Sequence, residues 1–215
     1  MRTVCSLPIL LLIALVGSGI AADAGPRATR AGRCAHAAGI LRERLEAVVE
    51  ASIDGKPARA APAADRALKY WERHSRLFPA DASAKDLMKR ISNAARDGKP
   101  VEAAHAAIDV SDASLRWCGA PLSMADHLTR IDLIGQTAWL RAHGIDIPWP
   151  NDADGSTAAV IAALRGDGNT GLADSLAASV SATLRTPVAT GLSREDARTA
   201  TGLLDQVDLV EKALR

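Results

Sequence analysis

Between Asp81 and Gly119 the chain repeats apolar and small residues at steps of three and four. It breaks once, at Asp97-Gly98-Lys99-Pro100, and closes on Cys118. Residues three and four apart share one face of an α-helix, so this spacing predicts two helices and little else. The first, about Ser83 to Arg96, turns Ala84, Leu87, Ile91 and Ala94 inward. Ser83 with Asp86 three residues on resembles a capping box, and Gly98 is a helix stop. The second, about Val101 to Trp117, repeats the pattern through Val101, Ala104, Ile108, Ser111, Leu115 and Cys118. A connection this short makes the two antiparallel.

The same spacing recurs on both sides of this hairpin. A helix over about Arg33 to Ile53 carries Cys34, Ala38, Leu41, Leu45, Val48 and Ser52 on its seam, with Arg42, Glu43, Arg44, Glu46 and Glu50 on the other side. A second runs from about Pro62, allowed in a first turn, to Leu77, with Pro79 as its stop. Four segments of similar length with short connections predict an antiparallel up-down-up-down four-helix bundle over residues 33–119. Residues 123–215 form a second helical region, either a bundle of its own or packed on the first. Helices are expected there over Ser123–His143, Ser156–Leu164, Leu172–Arg185 and Ser193–Leu214, with a two-proline break at Ile145–Gly155. Aromatics make up 3% of the chain. Alanine, leucine, arginine and aspartate dominate instead, which argues against sheet and for an all-α fold.

Residues 1–22 read as a secretory signal peptide. Arg2 supplies the positive start, Leu7–Ile20 the apolar run, and cleavage fits after Ala21, Ala22 or Ala24. Cys5 leaves with this segment. The expected product is soluble and exported, to a bacterial periplasm by its composition. With 26 basic and 25 acidic residues, nothing favours nucleic acid or an anionic membrane. Two cysteines remain, Cys34 and Cys118. The up-down topology puts both at the same end of the bundle, so an exported chain would join them. The loop closed would span about 84 residues, worth on the order of 4–5 kcal/mol in the chain-entropy account.

The third and fourth helices, with LMKRISNAARDGKPVEAAHAAIDVSDASLRWC, resemble the last two helices of the periplasmic four-helix-bundle cytochromes of the b-type and c-prime kinds, over about Ser83 to Cys118 and more loosely Arg33 to Cys118. A long seam helix, a Gly-Lys turn and an alanine-rich return helix are the shared features. The resemblance implies a left-turning four-helix bundle. It does not bring haem with it. The c-prime kind needs CxxCH where this chain has Arg116-Trp117-Cys118-Gly119-Ala120. The b-type kind needs an axial Met on the first helix, which is absent, and an axial His where Cys118 stands.

Two function classes stay open. The first is an exported, non-catalytic helical protein acting through binding or assembly. Its candidate contact is Trp149, held between Pro148 and Pro150, whose alternative role is a plug over the bundle end. The second is a periplasmic metal-binding protein with Cys34, His36, Cys118, Met124 and His127 as candidate ligands and His74 nearby. Thiolate, thioether and imidazole would suit copper, and thiolate with imidazole would suit zinc. His105, Asp109, Asp112 and Arg116 form a stripe that reads as a solvated face with an Asp112–Arg116 pair. Asn151–Gly155 fails as a calcium loop, because Pro150 and Ile161 stand where acids are needed, and Asp154 or Ser156 capping a helix explains it. No serine elbow, phosphate loop or dinucleotide fingerprint is present.

The thiol state separates the two classes, because a thiolate metal site needs reduced cysteines. Alkylation of the denatured, unreduced protein is expected to leave Cys34 and Cys118 unlabelled. Labelling of both would remove the staple and favour the metal site.

Overall fold

A computed structural model describes residues 29–78, 82–189 and 194–214. The expected signal peptide, Cys5, the Pro79 stop, the Ser83 side chain and the Ser193 helix start lie outside the described residues. The described chain is all-helical: α1 (Arg30–Ile53), α2 (Pro57–His74) with a 3-10 turn at Ser75–Leu77, α3 (Ala82–Arg96), α4 (Pro100–Ser114), α5 (Met124–Ala142), α6 (Ala153–Gly166), α7 (Thr170–Thr183) and α8 (Arg194–Ala213). Among the described residues no helix is long and apolar enough to cross a membrane.

Local chemistry sets the ends. Thr29 caps α1 by accepting from the Gly32 N–H at 2.9 Å. Gly98, at φ 70°, lets the Lys99 N–H reach back to the Ala94 carbonyl at 2.9 Å, which ends α3 and turns the chain straight into α4. Ser123 and Asp126 form a full capping box at the start of α5.

Two starts differ from the sequence reading. Helix α2 begins at Pro57, so Pro62 lies inside it instead of in its first turn. The N–H that Pro62 lacks would have bonded Ala58, which is exposed, so its carbonyl is left within reach of water. Helix α6 begins at Ala153, with Asp152 as its N-cap residue in the left-handed region at φ 55°. Neither Asp154 nor Ser156 is the cap. The Asp152 carboxylate instead meets the buried Arg130 at 3.2 Å. A buried guanidinium without a counter-charge is strongly destabilising, so the tertiary pair overrides the local cap.

Helix α1 packs on α2 and α4, and α3 packs on the same two. All six seam residues predicted on α1 are buried. The contact face of α2 is alanine: Ala60, Ala63, Ala64 and Ala67 are each at most 2% exposed, which allows close approach to its neighbours. Cys34 and Cys118 form a disulfide with their Cα atoms 5.6 Å apart.

Helix α5 contributes to two apolar clusters. Leu133, Ala138, Trp139 and Leu140 join the cluster built on α1 to α4. Leu128, Ile131 and Ile134 join a second cluster with residues of α6, α7 and α8. Helix α8 sits against α5 at Gly135, where an added Cβ would fall 2.7 Å from Leu204 Cδ2 and 3.3 Å from the Ala200 carbonyl oxygen. Gly135→Val is therefore expected to lower the unfolding free energy by roughly 1–3 kcal/mol. Gly202→Ala on the open face of the same helix is expected to raise it by up to about 1 kcal/mol. Urea unfolding followed by circular dichroism checks both.

Candidate functional site

Three helices carry stripes that meet around one cavity. Gly39, Arg42, Glu43 and Glu46 lie along one face of α1. From α5 come Met124, Leu128, Thr129, Asp132 and Gln136, from α8 come Val207, Asp208 and Glu211, and Leu214 follows just past the end of α8. Every stripe follows the three-and-four spacing of a helix face. The cavity holds about 510 Å³, within the range of small-molecule sites.

Its lining is divided chemically. Leu128, Leu133 and Val207 form an apolar floor, and all three are buried. Glu43, Glu46, Asp132, Asp208 and Glu211 put five carboxylates on the walls, against the single guanidinium of Arg42. Arg42 is already engaged. It forms an ion pair with Asp126 and donates to Ser114 Oγ at 3.3 Å, tying α1 to α4 and to the start of α5. The sequence reading put Arg42 on the side of α1 opposite the seam. It is 8% exposed, because α5 covers that side of α1.

The crowding of acids changes their protonation. Glu46 is an exposed residue, yet the loss of water around its carboxyl and the charges of Glu50, Glu211, Asp208 and Glu43 push it from 4.5 up to about 7. Asp132 is held well above the ordinary aspartate value by burial and then by Glu46 and Asp208, although Gln136 donates to it and opposes the shift. A carboxyl near neutral pH can serve acid–base work. The described lining, however, contains no His, Cys or Lys to act with it.

The candidate residues from the sequence fall elsewhere for the most part. Cys34 and Cys118 come together as the disulfide and line a separate apolar hollow with Leu77, Phe78 and Trp117. His36 is exposed on the first turns of α1. Met124 lines the acidic cleft. His127 has Nδ1 3.1 Å from Ser156 Oγ, and His74 has Nδ1 3.0 Å from the Tyr70 carbonyl. Among the described residues no three His, Cys, Asp or Glu side chains gather closely enough to hold a metal ion. Trp149 is half-buried, packs against both apolar clusters and lies under the Arg141 guanidinium, 5.0 Å from the ring centre. Asn151 donates to Asp112 at 2.8 Å, fastening the same loop to α4, and the expected Asp112–Arg116 pair forms at 3.4 Å.

The sequence reading missed the cleft. One signal pointed to it: Asp132 stands in the stretch Ile131-Asp132-Leu133-Ile134, a carboxylate amid an apolar run. No family model, curated protein or solved structure matches this chain.

The raised carboxyl has a consequence for stability. Between its unfolded value of 4.5 and its folded value of about 7, Glu46 binds more proton in the native state than in the unfolded one. Its favourable contribution is complete below 4.5 and is lost as pH rises through about 7. Urea midpoints measured from pH 5 to 8 are expected to show Glu46→Gln gaining on the parent as pH rises. Parallel profiles for the two proteins would mean that Glu46 is not crowded.

Proposed function

We propose that this chain is an exported, non-catalytic binding protein whose ligand seat is the cleft between α1, α5 and α8, and that the ligand carries ammonium charge on an apolar body. The observation that carries this reading is the division of the cleft into an apolar floor and acidic walls. Apolar surface on a ligand gains about 25 cal/mol for each Å² removed from water. An ammonium group relieves the repulsion that Glu46, Asp132 and Asp208 exert on one another, while Arg42 is paired with Asp126. The carboxylates are spread around a volume and not gathered at a point, which suits an extended organic cation better than a single metal ion.

The frame around the cleft fits the same reading. The packing of α1, α2, α3 and α4 in a ring, with short connections and a disulfide, supports the up-down-up-down arrangement. Such a frame would hold α1 rigidly as one wall. The disulfide suits the exported compartment that residues 1–22 suggest.

Titration calorimetry with octylammonium at pH 8 in low salt tests the proposal, with octanol and octanoate as controls of equal chain length. Binding of octylammonium in preference to both is expected, with affinity lowered at least about tenfold in the double variant Glu46→Gln/Asp132→Asn, the scale of losing charge-assisted contacts. Octanoate binding as well as octylammonium would overturn it.

A further inference from the structure

Proton and ligand would meet the same atoms in this cleft. The charged groups facing Glu46 are Glu43 and Glu50 on its own helix and Asp208 and Glu211 on α8. Those facing Asp132 are Glu46 and Glu50 on α1 and Asp208 on α8, with Gln136 as its hydrogen-bond donor on α5. Helix α4 supplies the neutral Ser111 to the lining, and α2, α6 and α7 supply no described lining residue. Every charged group that shifts the two carboxyls is therefore an acid, and the one guanidinium of the described lining, Arg42, is paired with Asp126.

Such a cluster has two ways of lowering its repulsion. One is to accept a cation, which leaves the carboxylates ionised. The other is to accept protons, which removes the charge the cation needs. The two are exclusive at each oxygen, so occupancy by one lowers affinity for the other by the same factor. The three-helix geometry strengthens the competition, because the acids come from separate elements and one protonation eases the repulsion felt on both other walls.

Resting on the binding reading above, we infer that the cleft is proton-gated: it takes up its cationic ligand with its carboxylates ionised, releases protons as it does so, and gives the ligand up when the surroundings turn mildly acidic. The balance is simple. A protonated carboxyl and a free ammonium ligand become a carboxylate–ammonium contact and a proton delivered to solvent. The ligand's own charge does not change over this range, since an alkylammonium loses its proton only near 10.4, as lysine does.

The Glu46 carboxyl, pushed up to about 7, sets the window. A single competing proton at that value predicts about a 30-fold loss of affinity between pH 8 and pH 5.5. Asp132, shifted in the same direction, adds to it.

Titration calorimetry with octylammonium at pH 8 and pH 5.5 is the test, repeated at pH 7 in two buffers of different ionisation enthalpy to count protons released. Affinity falling by tenfold or more at pH 5.5, with proton release at pH 7 and both effects reduced in Glu46→Gln, is the expected result. Equal affinity at the two pH values would overturn the gate and leave the binding reading intact. No octylammonium binding at pH 8 would overturn both.

Discussion

One helix serves two cores, and most of what is distinctive in this fold follows from it. From Leu133 to Leu140, α5 is buried on every side, with part of its surface against α1 to α4 and part against α6 to α8. A helix buried all round cannot keep its polar residues in water, so each must find a partner inside. Arg130 finds Asp152 and Ser156, which moves the start of α6. Asp132 finds Gln136 on its own helix. Thr137 Oγ1 finds no partner. The loop after α5 is drawn in as well, with Trp149 packed on both clusters.

The cleft is the other product of that sharing. Helix α1 belongs to the first cluster and α8, apart from Ala200, to the second, so the two face each other across a gap beside α5 instead of filling it. The chain as a whole is nearly neutral, at a formal charge of +1. The concentration of acid around the gap is therefore a property of placement and not of composition. Repulsion of this kind weakens a fold unless something is gained by it, and groups whose protonation is displaced tend to be kept where a protein does its work.

Much of the secondary structure was legible because short-range physics decides it. Gly98 and Gly144 stop helices by taking positive φ, Ser123 with Asp126 starts one, and the six residues that the three-and-four spacing puts on the seam of α1 are all buried. The misreadings share a cause. Pro62 and Asp154 were judged by local rules, and Arg42 by its place opposite the seam of α1. Each was overruled by a contact or exposure set from elsewhere: the open start of α2, the buried Arg130, and the coverage of α1 by α5. The acidic site was hidden for the same reason, because Glu46, Asp132 and Asp208 are 86 and 76 residues apart in turn and no spacing rule connects them.

By itself, then, the sequence determined an all-helical chain, the places where its helices begin and end to within a few residues, and the two cysteines free to pair. These depend on interactions within a few residues, and the chain carries them wherever it goes. Only the tertiary structure decided that α5 would be shared, that Arg42 and Arg130 would be buried, and that five carboxylates from three helices would line one cavity. Those outcomes depend on how helices pack across long separations, where the identity of a neighbour is fixed by shape and burial and leaves no periodic mark in the order of residues.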